Sequence, residues 1–280
     1  MKTLKFQKFR YFITENHTLL NENQSKDEFL SKIFKARYKF EYYGNSYEYT
    51  FRYFSDSLNV VLGTIGRYSE HPYYDDTLAR NTNNEYEFAF VIINLNHSVE
   101  VDKNAQNIYL QCNKGLSTNV YSLLKALAGK INNNEDHKIF INPENLAKDH
   151  FWDAIEGHLV TKLIITYAPK NLFSHKALTD LSKELAENMN AQETKIVIEN
   201  SSASSTGLEL NNKNSHKFME EVLDDTSKGA ASLKVYSKRS TCYNSESNNE
   251  IIERSVEIFS DNLTNESTIV NIVTELFSRD

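Results

Sequence analysis

Four cations follow two short apolar runs that have the pattern of β-strands. The runs are Leu163–Tyr167 and Leu233–Tyr236, and the cations are Lys170, Lys176, Lys238 and Arg239. If the two strands are parallel neighbours, their ends meet at one edge of the sheet and bring the four cations together. Clustered Lys and Arg side chains neutralise phosphates and bind nucleic acid in this way. The sequence therefore predicts a nucleic-acid-binding edge made of these four residues.

The distribution of charge also favours an anionic partner. The net charge is −7, yet residues 1–40 contain nine Lys and Arg against four Asp and Glu. Segregated charge creates a local field that attracts ligands of the opposite sign. Residues 1–40 are therefore the alternative binding region if Lys238 and Arg239 do not contact nucleic acid.

A metal-dependent nuclease is an alternative function. Glu193 and Lys195 form a Glu-x-Lys triplet, and Asp180 lies upstream of it. In nucleases with this arrangement the carboxylates bind a metal ion and the lysine polarises the scissile phosphate. Here Asp180 falls inside a predicted helix, whereas the nuclease pattern requires it at the end of a strand. A surface Glu and Lys at a helix-to-strand junction is the simpler interpretation.

A second group of possible ligands lies in one short segment. His71, Asp75 and Asp76 offer nitrogen and oxygen donors within six residues, and paired carboxylates suit a hard divalent cation. Pro72 imposes a turn or an extended conformation there, and turns collect Asp for local hydrogen bonds. A metal site and a polar turn are both open, and the turn is favoured.

No recognised catalytic signature is present. The sequence has no Gly-x-Ser-x-Gly, no His-Glu-x-x-His and no phosphate loop ending in Gly-Lys-Ser or Gly-Lys-Thr. We therefore expect a protein without enzymatic activity and without a cofactor. The sixteen tyrosines leave a third possibility, a protein-interaction scaffold whose interface is rich in tyrosine.

The first half of the chain has the texture of aromatic β-hairpins. Gly44-Asn45-Ser46 predicts a hairpin turn, and Phe88–Asn94 is expected to pair with Ser98–Asp102 in a second hairpin. Gly63 and Gly66 in the next strand indicate a bulge or a close backbone approach. Helical spacing predicts helices over two further segments, Asp27–Ala36 and Thr118–Lys130.

The second half alternates strands with helical patterns. Helices are predicted over Ala177–Met189, His216–Asp225 and Thr268–Ser278, and strands lie between them. The polar residues 132–137 mark the change of texture. We therefore predict an α+β fold, with a β-rich domain over residues 1–131 and an α/β domain with a C-terminal helix over residues 132–280.

The order of elements in Phe151–Phe277 resembles that of RexA-like phage-exclusion proteins. The shared features are a strand that ends in a short Pro/Lys segment, here Ile164–Lys170, then a helix, a strand, a polar excursion and a C-terminal helix. The resemblance implies a DNA-binding homodimer that acts in abortive infection, and it transfers no site residue.

The expected compartment is the cytoplasm. Cys112 and Cys242 are the two cysteines, and no secretory signal or membrane-spanning run is apparent. The prediction is a cytoplasmic, non-enzymatic protein that binds or senses DNA or RNA and acts away from membranes, with a role in anti-phage defence.

Overall fold

The computed structural model describes residues 2–14, 25–97, 105–133, 135, 137–167, 193–200, 206–238, 240–258 and 266–278. These residues form a β-rich α+β fold, which confirms the predicted class. Among them, no helix is long and apolar enough to cross a membrane. The helices and strands in chain order are β1 (Lys2–Thr14), α1 (Lys26–Phe34), β2 (Arg37–Tyr42), β3 (Asn45–Ser55), β4 (Val60–Tyr74), β5 (Arg80–Asn94), β6 (Asn107–Gln111), α2 (Val120–Asn132), β7 (Lys138–Pro143), α3 (Ala147–Ile155), β8 (Val160–Tyr167), β9 (Thr194–Glu199), α4 (Lys213–Ser227), β10 (Ala231–Ser237), β11 (Thr241–Asn244), β12 (Glu253–Ile258) and α5 (Glu266–Ser278).

The chain divides into two compact units. Unit 1 consists of Met1–Gln7, Leu19–Glu135 and Arg254–Asp280, and unit 2 consists of Lys8–Thr18 and Asp136–Glu253. The change of unit after Glu135 lies close to the predicted boundary at residues 131 and 132. The division differs from the prediction at both ends, because β1 contributes residues to each unit and the C-terminal helix belongs to unit 1. A boundary drawn from local composition does not detect a strand that is shared in this way.

Unit 1 contains a sheet whose strands follow the order β12-β1-β6-β5-β4-β3-β2, and the pairs from β2 to β6 are antiparallel. The predicted hairpin between β2 and β3 is present, with Tyr43 and Gly44 at its turn. Both turn residues have positive φ, at 47° and 73°, as a two-residue type I′ turn requires. The turn therefore lies one residue before the predicted Gly44-Asn45-Ser46 centre.

The strands β4 and β5 form a long hairpin, and this differs from the prediction. They pair from Val60 opposite Asn94 to Tyr74 opposite Arg80. On its other side β5 pairs with β6, and Ser98–Asp102, the expected partner, lies outside the described residues. The polar residues 81–87 have the composition of a loop, yet in the structure they continue a strand whose two faces are both exposed.

Helices cover both faces of this sheet near its centre. The hydroxyl groups of Tyr47 and Tyr49 donate to backbone oxygens of Leu116 and Phe34, at 2.9 and 2.7 Å. On the opposite face α5 packs its apolar side chains on Leu62, Phe90 and Ile92. The predicted helix Thr268–Ser278 is confirmed. Phe277 is partly buried against the same core, and four other apolar residues of the helix are buried: Ile269, Ile272, Val273 and Leu276.

Capping side chains fix where the first two helices begin. Ser25 and Glu28 form a capping box at the start of α1. Asn119 caps α2 by accepting a hydrogen bond from the backbone N–H of Ser122 at 2.8 Å. The helix predicted over Thr118–Lys130 therefore begins two residues later, at Val120. The hydroxyl of Ser117 accepts a hydrogen bond from the backbone N–H of Asn119.

Unit 2 contains a second sheet, which is antiparallel, with the strand order β11-β10-β8-β9. The helices α3 and α4 pack on one face of it around Phe151, Met219 and Leu233. Separately, β7 pairs with residues Phe9–Thr14 of β1. The predicted α4 is confirmed over a longer range, and the predicted helix Ala177–Met189 lies outside the described residues.

Parallel pairing of the strands at Leu163–Tyr167 and Leu233–Tyr236, the condition for one shared basic edge, is not met. β8 and β10 are neighbours, but they run antiparallel, with Tyr167 opposite Ala231 and Lys162 opposite Tyr236. A run of apolar residues specifies a strand and its buried face, whereas the direction of pairing depends on the connection. The less buried alternate residues of β8 fit an antiparallel sheet that is covered on one face.

Candidate nucleic-acid interface

One face of the unit 1 sheet combines exposed aromatic rings with cations. We call it the aromatic–basic face, and it consists of Arg37, Lys39, Arg52, Tyr68, Tyr86 and Phe88. Residues directly opposite each other in an antiparallel pair point to the same side of a sheet. Lys39 lies opposite Glu48, Glu48 opposite Gly66, and Gly66 opposite Phe88. One row across four strands therefore carries both a cation and a ring.

The remaining members follow from the same alternation. Tyr68 lies opposite Tyr86, two residues beyond Gly66 and Phe88 along their strands. Arg37 lies two residues before Lys39 on β2. Arg52 is located by its hydrogen bond, because its Nε donates to Oγ1 of Thr64 at 3.0 Å. Since Thr64 lies two residues before Gly66, this guanidinium is on the same side of the sheet.

The rings form a graded series from solvent to core. Tyr68 is 78% exposed and Tyr86 is 36% exposed, and their ring centroids are 5.1 Å apart. Tyr86 stacks on Phe88 at 6.3 Å, and Phe88 meets Phe90 edge to face at 5.5 Å. Phe90 is buried in the core beneath α5. The exposed rings are thus held in place by a buried aromatic anchor.

Gly66 makes room for the ring of Tyr86. A Cβ at position 66 would lie 2.5 Å from Cζ of Tyr86 and 2.8 Å from the backbone oxygen of Glu87. The absence of a side chain lets the ring lie flat across β4. This confirms the close approach that the sequence indicates at Gly66. At Gly63 the absence of a side chain likewise makes room for Tyr49, whose ring would be 2.5 Å from an added Cβ.

Positive charge surrounds the ring of Tyr86. Arg37 makes a two-pronged ion pair with Glu48, in which Nη2 lies 2.7 Å from Oε2. The hydrogen bond from Arg37 lowers the pKa of Glu48, which keeps this carboxylate ionised. Burial raises the pKa of Tyr86, and the Arg52 guanidinium opposes that rise. Lys39 and Arg52 make no ion pair within the described part of the chain.

Two further carboxylates lie on this side of the sheet. Glu41 is near the β2–β3 turn and Glu70 is opposite Asn84 towards the β4–β5 turn. At Tyr86 itself, Arg52 and Arg37 act against the single carboxylate of Glu48, and Lys39 lies beyond Glu48 in the same row. The centre of the face is therefore locally positive on a chain of net charge −7.

The structure describes one of the four predicted phosphate-binding residues. Lys238 is exposed just after β10, while Lys170, Lys176 and Arg239 lie outside the described residues. Because β8 and β10 are antiparallel, the chain leaves these two strands at opposite ends of the strand pair. The argument for one shared basic edge is therefore wrong, and a phosphate contact by Lys238 stays a prediction.

The nuclease arrangement gains no support from the described residues. Glu193 is exposed immediately before β9, and Lys195 is exposed within it, opposite Thr166. Asp180 lies outside the described residues. In the part of the chain that the structure describes, no three His, Cys, Asp or Glu side chains come together as metal ligands.

The segment with His71, Asp75 and Asp76 forms a polar turn. Oδ1 of Asp75 accepts hydrogen bonds from the N–H and hydroxyl of Thr77 and from the N–H of Ala79. These hydrogen bonds lower the pKa of Asp75, with the Thr77 hydroxyl as the largest cause. Asp76 is exposed, and His71 lies within β4 opposite Asn83. The Asp75 carboxylate is therefore used to build the β4–β5 turn.

Unit 2 has a groove of about 750 Å³, but its charge disfavours nucleic acid. Asp153, Glu156 and Glu209 line it, and no Lys or Arg is among its described lining residues. Trp152 is one of its lining residues, stacks on His216 with ring centroids 4.7 Å apart and packs on the unit 2 core. Three carboxylates would repel phosphate, which leaves the aromatic–basic face as the better candidate.

Sequence reasoning missed this face for an identifiable reason. The alternation of Tyr86, Phe88 and Phe90 is visible in the sequence, but the predicted strand begins only at Phe88. Arg37 and Lys39 fall within the basic residues 1–40 that were the alternative binding region. The pairing of Tyr68 with Tyr86 depends on strand register, which neither the aromatic alternation nor the distribution of basic residues reveals.

No known protein-family model and no curated protein matches this chain. The predicted resemblance to RexA-like proteins therefore stays a prediction. The geometry of the aromatic–basic face is the basis for assigning a function.

Proposed function

We propose that this protein binds nucleic acid through the aromatic–basic face and prefers single strands. The observation that carries the proposal is the pair of exposed rings, Tyr68 and Tyr86, with centroids 5.1 Å apart beside three cations. Aromatic rings stack on any base, and each stacked base contributes about 1–3 kcal/mol. Arg37, Lys39 and Arg52 supply the charge that phosphates require.

The preference for single strands follows from access to the bases. In a duplex the bases are stacked on one another, and a ring on a sheet surface cannot reach their faces. In a single strand the bases can turn towards Tyr68 and Tyr86 while the backbone follows the cations. Recognition of this kind tolerates most sequences, since every base has a π-face.

We infer that binding serves a non-enzymatic role, as a binder or sensor in the cytoplasm. Cys112 and Cys242 are not joined in a disulfide, which is compatible with a reducing compartment. The resemblance of Phe151–Phe277 to RexA-like proteins supports a role in anti-phage defence.

Fluorescence anisotropy tests the proposal. The probes are labelled single-stranded DNA, single-stranded RNA and duplex DNA of about 20 nucleotides, titrated at about 50 and about 200 mM salt. We expect both single strands to bind more tightly than the duplex. Three phosphate contacts predict that log K falls with log salt with a slope of about −2. Absence of binding by every probe at the lower salt would overturn the proposal and favour a protein-interaction surface.

Two tyrosines on the same strand provide a matched pair of variants. Tyr68 is on the aromatic–basic face and Tyr73 is on the other side of β4, and both are more than half exposed, at 78% and 51%. We expect Tyr68→Ala to weaken binding of single strands about tenfold through the loss of one stacked base. Tyr73→Ala should leave the affinity unchanged. An equal loss in both variants would contradict the assignment of the face.

A further inference from the structure

The strand β9 presents an edge that could pair with another strand. It is the outermost strand on its side of the unit 2 sheet, and among the described residues it pairs only with β8. The N–H of Asn200 donates to the oxygen of Thr161 at 2.9 Å, so Asn200 and Thr161 are a hydrogen-bonded pair of the antiparallel ladder. By the alternation of antiparallel strands, the N–H and C=O groups of Lys195, Val197 and Glu199 therefore point away from β8.

The side chains of these three residues are on the solvent-exposed face of the sheet. Val197 is 49% exposed, and Lys195 and Glu199 are exposed on either side of it. Ile196 and Ile198 alternate with them and pack on the unit 2 core. An edge strand with three consecutive β-branched aliphatic residues readily pairs with a further strand.

We propose that β9 pairs with β9 of a second copy of this chain, antiparallel and about a two-fold axis at Val197. In this register Lys195 lies opposite Glu199 of the second copy, and this pair occurs twice. Val197 lies opposite Val197 of the second copy. The backbone groups of all three residues then face one another, which is the arrangement of hydrogen-bonded pairs in an antiparallel ladder.

The charges of β9 select this register over its neighbours. An axis at Lys195 or at Glu199 would place like charges directly opposite each other, which destabilises a strand pair. An axis at Ile196 would place Glu199 opposite Glu193. Only the axis at Val197 among these positions pairs each lysine with a glutamate.

The ion pair within the chain is compatible with this arrangement. Nζ of Lys162 lies 3.1 Å from Oε2 of Glu199, on the same face of the sheet. In the two-copy arrangement each Glu199 lies between Lys162 of its own chain and Lys195 of the second copy. The self-complementary order of charges in Thr194–Glu199 favours a second copy over an unrelated peptide as the partner. This proposal is independent of nucleic-acid binding.

Sedimentation equilibrium of the full chain and two charge-reversal variants tests the interface. We expect the wild-type protein to be a dimer at about 100 µM and each of Lys195→Glu and Glu199→Lys to raise the dimer Kd at least about tenfold, since each creates two like-charge pairs. An equimolar mixture of the two variants should form dimers again, because an all-acidic β9 then faces an all-basic one. Lys217→Glu, an exposed lysine on α4, is the control and should leave the Kd unchanged.

Three results would overturn this proposal. They are a monomeric wild-type protein at the highest concentration, dimer dissociation constants unaffected by both reversals, and a mixture that associates no better than either variant alone. Circular dichroism of each variant verifies the fold. Because both substituted side chains are exposed, we expect the spectra and Tm values to match those of the wild-type protein.

Discussion

The sheets of the two units present different chemistry to solvent. In unit 1 the exposed face carries Tyr68 and Tyr86 among cations. In unit 2 the corresponding face of β8 and β9 carries aliphatic side chains, Ile164 and Val197, flanked by the Lys162–Glu199 ion pair. Rings beside cations suit bases and phosphates, whereas a β-branched strand with alternating charges suits pairing with another strand. Similar backbone architecture thus supports two kinds of recognition.

The difference arises from what lies beneath each exposed face. The rings of unit 1 continue an aromatic series that ends at the buried Phe90. Their orientations are therefore fixed before a ligand binds, which reduces the entropy lost on binding. The unit 2 face has no comparable series among its described residues. There the organising element is the backbone edge of β9.

Substitutions along the aromatic series should separate its structural and binding ends. Phe90 is 3% exposed, so we expect Phe90→Ala to lower the free energy of unfolding by about 3–5 kcal/mol. Tyr68 is at the exposed end, and Tyr68→Ala should lower it by less than about 1 kcal/mol. Urea denaturation measures both values. Similar losses for the two variants would contradict the graded series.

The role of Gly66 can be tested in a similar way. We expect Gly66→Ala to cost about 1–3 kcal/mol in stability, because the added methyl group displaces the Tyr86 ring. It should also weaken binding of single-stranded DNA, since the ring no longer lies flat. Gly129→Ala in α2 is the control, where nothing lies within 4 Å of the added methyl group. That change should stabilise the helix by up to about 1 kcal/mol.

Unit 2 contains a carboxylate whose contribution to stability depends on pH. Partial burial acts to raise the pKa of Asp224, but hydrogen bonds from Lys148 and Lys228 outweigh it and lower the pKa to about 2. A lowered pKa stabilises the fold above the usual value of 3.8, and this stabilisation is lost as the pH falls towards about 2.

Replacing Asp224 should therefore have a pH-dependent effect. We expect Asp224→Asn to lower the free energy of unfolding by about 1 kcal/mol at neutral pH, a value discounted for solvent screening because the Asp224 side chain is 21% exposed. The difference from the wild-type protein should shrink near the lowered pKa. Asp153→Asn, an exposed aspartate of α3, is the control. A difference that stays constant with pH would show that the ion pairs are not its cause.

The smallest expected effect concerns the single carboxylate among the cations. Glu48→Gln removes the negative charge paired with Arg37, and we expect it to tighten binding of single-stranded DNA about threefold and to steepen the salt dependence. Glu85→Gln, on the other side of β5, should change neither. Weaker binding by Glu48→Gln would indicate that the ion pair positions Arg37 for contact.

Local patterns in the sequence predicted the elements of the fold but not all of their pairings. The β2–β3 hairpin and the helix α5 depend on residues near one another in the chain, and both are present. The close approach at Gly66 is also present, but its partner Tyr86 lies on the next strand and is brought there by strand register. The direction of β8 against β10 depends on a distant connection, and the parallel pairing that the shared basic edge required does not occur. Strand direction is decided by the tertiary path of the chain, which composition does not encode.

The candidate face illustrates the same limit. Arg37 and Lys39 belong to the basic residues 1–40, and the alternation of Tyr86 with Phe88 is local. They come together through the register of four strands, because β2 pairs with β3, β3 with β4 and β4 with β5. Residues far apart in the chain thus meet on one face only when these strands pair in this order. The metal prediction at Asp75 shows the converse, because a local turn explains that carboxylate completely.

Photochemical cross-linking tests the central claim most directly. A single-stranded DNA that contains iodouracil is irradiated in complex with the full chain, and mass spectrometry locates the cross-linked residue. We predict cross-links at Tyr68 or Tyr86, because halogenated bases react with the aromatic rings on which they stack, and a strong reduction in the Tyr68→Ala/Tyr86→Ala variant. Cross-links confined to residues outside β2–β5, unchanged in that variant, would contradict the account.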